Sequence, residues 1–113
     1  MIGKAVDRKL KYEVRFEKSF VKRMDNLQSM FNLSSIDTMD ARMTIIDAVE
    51  ILAMGKELDS AFDDHKLLRE PWTGYHEFHV LNDLLVIYYQ VDAKKRLRMV
   101  TITNHKELST GKL

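Results

Sequence analysis

The chain has no cysteine, so disulfides, thiolate metal sites and cysteine nucleophiles are excluded together. That absence fits a reducing compartment, and a cytoplasmic location is expected. No run approaches the roughly 18 apolar residues needed to cross a bilayer, so no membrane association is expected. The charged start, Met1 to Lys11, is followed by no hydrophobic stretch, which argues against a secretory signal. Proline is nearly absent as well. The single one, Pro71, withholds an amide and marks a loop. No HExxH pattern occurs, and His76-x-x-His79 on a strand puts its two rings on opposite faces, so neither metal nor cofactor is expected. Internal repeats and low-complexity segments are also missing.

What is present suits one folded core. The chain has 113 residues, 45% of them apolar and 31% charged, and residues 1–113 read as a single domain. The net charge of +1 hides a segregation. Residues 1–30 carry eight basic and four acidic side chains, residues 31–92 four and twelve, and residues 93–113 six and one. Folding that brought the two basic ends together would make a positive face for a polyanion; the other reading is two solvated ends.

Periodicity gives an α+β order. Lys11 to Phe16 alternates as a half-buried strand, with Tyr12, Val14 and Phe16 on one face. Phe20, Met24, Leu27 and Met30 or Phe31 then recur at helical steps, with Ser19 a candidate cap. A second helix is expected from about Met39 to Met54, capped by Asp37 and closed by Gly55. Its core stripe would be Met39, Met43, Ile46, Val49 and Leu52 or Ala53. After an irregular segment, Lys56 to Thr73, the period changes to two. Strands are expected at Tyr75–Leu81, Leu84–Val91 and Arg96–Thr103, joined by short turns into an antiparallel meander. The expected architecture is two N-terminal helices packed on one side of a four-stranded, largely antiparallel sheet. Val80, Ile87, Val100 and Ile102 should lie in its core, and the first strand beside the last.

Strand parity then gathers polar residues on the face away from the helices. Glu77 and His79 oppose Phe78 and Val80; Thr101, Thr103 and His105 oppose Val100 and Ile102. Asp83 lies at a turn, and His65 stands in the loop beside Asp64. Histidines and carboxylates on a face open to a large substrate suit proton transfer near neutral pH. Trp72 reads equally as a hydrophobic lid or as a platform for stacking a base.

Several runs together resemble the RelE/ParE superfamily of bacterial type II toxins, in its YafQ-like branch. They are VRFEKSF (Val14 to Phe20), FDDHKL (Phe62 to Leu67), WTGYHEFHV (Trp72 to Val80), NDLLVIYY (Asn82 to Tyr89) and TNHKEL (Thr103 to Leu108). The resemblance implies a ribosome-dependent messenger RNA endonuclease held inactive by a cognate antitoxin. It also implies a toxin–antitoxin complex that binds operator DNA through the antitoxin. It carries the catalytic positions onto His65, Glu77, His79, Asp83 and His105. Lys66, Arg69, Trp72, Arg98 and Lys106 are the candidate RNA-binding residues. The sequence departs from the family pattern in two places: Thr101 stands where an arginine facing the phosphate is usual, and Ser109 where an aromatic is. Arg98 has the wrong parity to replace that arginine unless a bulge intervenes. The alternative reading is therefore a weakened or inactive homologue that still binds antitoxin and nucleic acid. A gyrase-directed action is disfavoured, because it needs no acid–base set.

Overall fold

The computed structural model describes residues 10–68 and 70–110. Strand β1 (Glu13–Phe16) leads into helices α1 (Lys18–Asp25), α2 (Leu27–Met30) and α3 (Ser35–Ala53). A 3-10 turn (Ser60–Phe62) and a two-residue strand β2 (His65–Lys66) follow. Then come β3 (His76–Val80), β4 (Leu84–Tyr89), β5 (Arg96–Thr103) and α4 (His105–Thr110). The sheet has five strands, ordered β1-β5-β4-β3-β2. The expectation of four missed β2, which pairs antiparallel to β3 through only His65–Glu77 and Lys66–His76. Two residues are too few to show a period. The meander β3–β4–β5 is antiparallel as expected, and β1 does lie beside the last strand, parallel to it. Among the described residues no helix is long and apolar enough to cross a membrane.

The helical layer differs in detail from the periodic reading. The first expected helix breaks at Asn26, whose side-chain amide donates to the Lys22 carbonyl at 2.7 Å and whose backbone N–H turns back to Arg23. A short amide side chain competing for a backbone carbonyl ends α1 there. Helix α3 starts earlier than expected, capped by Ser34, whose hydroxyl accepts from the Asp37 N–H at 3.0 Å. Gly55 ends it as expected, at φ +79°. The Gly55 N–H donates to Leu52 and the Lys56 N–H to Ile51, so the last carbonyls are satisfied.

The buried stripe of α3 is Thr38, Ala41, Ile45, Ala48, Val49, Leu52 and Ala53. Met39, Met43 and Ile46, expected in the core, are instead 63%, 59% and 58% exposed. Two apolar stripes at helical spacing compete on this helix. The one carrying Ala41 and Ala48 lets the backbone come closer to the sheet. That side of the sheet supplies Phe78, Val80, Val86, Tyr88, Leu97, Met99 and Ile102, which pack with Phe20, Leu27 and Ile45.

One irregularity in β5 governs the opposite side. Tyr88 pairs with Met99 and Ile87 with Thr101, which leaves Val100 as an extra residue. Val100 is therefore half-buried on a cavity wall rather than in the core, whereas Ile102, Val80 and Ile87 are buried as expected. Thr101 is buried too, at 1% exposure, and shares a hydrogen bond of 2.6 Å with Ser19. Leu85 and Ile87, fully buried, floor the face away from the helices.

Candidate functional site

On that face the sheet register aligns two rows. Glu77, Ile87 and Thr101 lie on one rung, with His65 beyond Glu77; His79, Leu85 and Thr103 lie on the next. Helix α4 begins with His105, one residue beyond the end of β5. The three histidines form a row: the rings of His65 and His79 are 5.9 Å apart, and those of His79 and His105 are 5.6 Å apart. Each ring has a carboxylate. Glu77, 4% exposed, stands between the first two, with Oε1 3.5 Å from His65 Nε2 and Oε2 3.9 Å from His79 Nε2. Asp63 Oδ2 is 3.7 Å from His79 Nδ1, a buried nitrogen that makes no hydrogen bond among the described residues. Asp83 accepts from His105 Nδ1–H at 2.7 Å, and this bond holds the Asp83 carboxyl below the usual carboxylate range.

These contacts set the tautomers. His65 Nδ1–H donates to the Asp63 carbonyl at 3.0 Å and His105 Nδ1–H to Asp83, so each ring when neutral carries its lone pair on Nε2. The fourth histidine, His76, takes the other parity, as expected. It stacks on Tyr88 at 5.2 Å, and burial lowers its pKa from 6.5. Tyr88 donates its hydroxyl to both oxygens of Asp64, at 2.8 and 2.7 Å; burial first, and then this bond, push the phenol pKa up.

The five residues read as catalytic, His65, Glu77, His79, Asp83 and His105, are thus brought together. Asp63 joins them and was missed. It precedes Asp64 in sequence, but its φ of +47° at the end of the 3-10 turn aims it at the histidines, while Asp64 faces Tyr88. Only the doubled aspartate before His65 hinted at it.

The residues read as RNA-binding scatter more. Trp72 lies on the wall between two cavities, one of about 620 Å³ beside His65, Glu77 and His105, and one of about 540 Å³ beside Thr101. Lys66 has the parity of His76, opposite to His65, and sits on the rim. Arg98 does reach the histidine face, because the extra residue Val100 restores its parity. There it is held by Glu17, Nε to Oε2 at 2.7 Å, in the smaller cavity. Lys106 is exposed on α4, and Arg69 lies outside the described residues.

Among the described residues, one group of side chains could hold a metal ion. Glu77, His79 and His105 each offer a donor atom within 4.8 Å of the others, a mixed imidazole and carboxylate set suited to zinc or copper.

No curated protein sequence matches the chain. Solved structures of similar fold include a copper-bound mutant toxin from Helicobacter pylori, at 24% identity and TM-score 0.65 over 86% of this chain and 98% of that one. YafQ from E. coli matches at 21% identity and TM-score 0.59, over 87% and 98% of the two chains. The E. coli DinJ–YafQ toxin–antitoxin complex matches at 20% and 0.61, over 88% and 98%. These likenesses establish the fold. Residues 8–110 match the family model described as the bacterial toxin of a type II toxin–antitoxin system, YafQ, and with nearly the whole chain covered this protein belongs to the YafQ toxin family.

Proposed function

We propose that this chain is the toxin of a type II pair that cuts messenger RNA on the ribosome by acid–base chemistry without a metal. The observation that carries the reading is the row of three histidines, each with a carboxylate, on one accessible face. His105 serves as the general base. Asp83 orients it, and its Nε2 takes the proton of a ribose 2′-OH. That oxygen attacks its own phosphorus, the P–O5′ bond breaks, and the 5′-oxygen leaves with a proton from His79. The products are a 2′,3′-cyclic phosphate and a 5′-hydroxyl. Glu77 meets the imidazolium charge on His79 and His65, and His65 donates to the phosphoryl oxygens.

Charge on the phosphate falls to the histidines because Arg98 and Arg23 are both engaged. Arg98 is bound by Glu17, and Arg23 by Glu107 and the Ile102 carbonyl. Thr101, at the position where the family resemblance expects an arginine, is spent on Ser19. That supports a slow nuclease over a fast one. An antitoxin covering the histidine face would block it sterically, and the pair would reach operator DNA through the antitoxin.

The test maps RNA ends on translating ribosomes, with ribosome-free RNA as control, for wild type and His79→Ala. Ribosome-dependent ends that vanish in His79→Ala support the reading. A folded wild type that makes no cuts would identify the alternative, an inactive homologue that keeps its binding functions.

A further inference from the structure

The smaller cavity beyond Trp72 takes no part in the proton transfers. Its walls carry Arg15, Lys18, Arg96 and Arg98, together with Phe16 and Trp72. Register places Arg15 directly opposite Arg98 on neighbouring strands, on the same face as the histidines. Like charges so placed oppose folding, so stability alone does not select them. Two acidic residues answer part of the charge: Glu17 puts one carboxylate oxygen into the fork of Arg98, and Asp92 engages Arg96 at 3.0 Å. Among the described residues, Arg15 and Lys18 have no ion-pair partner. Phe16 is 49% exposed although its parity is that of the core, and the indole N–H of Trp72 is buried with no acceptor among the described residues. Trp72 lines both cavities, so the trough and the histidine cleft share a wall. Thr101 in the trough and Glu77 in the cleft share a rung two strands apart, about 10 Å by strand spacing.

We propose that this trough is a second RNA subsite, which holds the single-stranded segment next to the phosphate in the histidine cleft. It rests on the nuclease reading above and extends it. Arg15, Lys18 and Arg98 take backbone phosphates, and Trp72 offers a face for a base. Glu17 occupies the fork of Arg98 as a phosphate oxygen would, so the RNA must displace it. An intramolecular carboxylate thereby sets the affinity of the subsite.

The experiment measures binding of a 2′-O-methyl oligoribonucleotide, which cannot be cut, across a salt series. The variants are Arg15→Gln/Lys18→Gln, Glu17→Gln, and Lys56→Gln outside the trough, each checked for folding by circular dichroism. Losing two phosphate contacts on a single strand should lower the slope of log K against log salt by about 1.4 and weaken binding roughly tenfold. Glu17→Gln should tighten binding severalfold, a gain that a purely structural Glu17–Arg98 pair does not produce. Lys56→Gln should match wild type. On ribosome-bound messenger RNA, the double variant should raise KM more than it lowers kcat. Unchanged slope and affinity in the double variant, or no tightening in Glu17→Gln, would overturn the proposal. Message cutting indifferent to these charges would sink the subsite and leave the nuclease standing. Oligonucleotide binding with the expected slopes but no cutting by wild type would do the reverse.

Discussion

Two carboxylates stand at nearly equal distances from His79 in different surroundings, and replacing each in turn shows how the row works. Glu77 is 3.9 Å from one ring nitrogen with its side chain 6% exposed; Asp63 is 3.7 Å from the other and 73% exposed. At these distances, a charge pair is worth roughly 4 kcal/mol at an effective dielectric constant of about 20, and about 1 kcal/mol at that of water. If His79 carries a proton toward the leaving oxygen, Glu77→Gln should slow cleavage by up to about 10³-fold, and Asp63→Asn by less than about tenfold. His79→Ala removes the proton carrier itself, a loss of about 10²-fold or more. The assay is single-turnover cleavage of ribosome-bound messenger RNA, with melting followed by circular dichroism to exclude unfolding. Equal losses in Glu77→Gln and Asp63→Asn would refute the reasoning from burial. Full activity in folded His65→Ala, His79→Ala and His105→Ala would end the acid–base mechanism.

The two stripes of α3 differ in cost: Ile45→Ala should destabilise by about 2–5 kcal/mol and its neighbour Ile46→Ala by less than about 1 kcal/mol in urea unfolding, and equal costs would reverse the face assignment. Burial lowers the His76 pKa from 6.5, so the unfolded chain binds that proton more readily and stability must fall as pH drops below 6.5. Urea midpoints from neutral to mildly acid pH should drop more for wild type than for His76→Phe, and parallel curves would contradict this. Zinc or copper(II) ions should bind Glu77, His79 and His105, inhibit cleavage and be reversed by a chelator. Calorimetry should show that His105→Ala weakens the metal, and unchanged binding would place the ion elsewhere.

The parts legible in the sequence were those where one pattern had no rival. The meander was read because β4, LLVIYY, is buried along most of its length and short turns join it to β3 and β5. Helix α3 was located, but its facing was not. Met39, Met43 and Ile46 keep the same three- and four-residue steps as Ala41, Ile45 and Ala48, and hydropathy favoured the larger side chains. Close approach to the sheet favours the smaller ones, and a one-dimensional pattern does not contain that constraint. The site shows the same division. His79, Glu77 and His105 followed from parity, and Asp83 from its place at a turn. Asp63 depends on a left-handed backbone at a non-glycine residue, which no spacing announces.

Val100 joins the two halves of the functional surface. Leu97 and Met99 precede it and Ile102 follows it in the same core, which strict alternation forbids, since an even and an odd position cannot then share a face. The extra residue absorbs the mismatch and leaves Arg96, Arg98, Thr101 and Thr103 together on the other side. Without it, one end of β5 would have to turn over. Either the two arginines would enter the helix-packed core, where unpaired guanidiniums are costly, or Ile102 would leave it and Thr101 and Thr103 would go in. Both outcomes separate the cationic trough from the histidine row. The bulge is therefore a condition for a single strand of RNA to meet both, and it explains why Arg98 seemed by parity alone to belong to the wrong face.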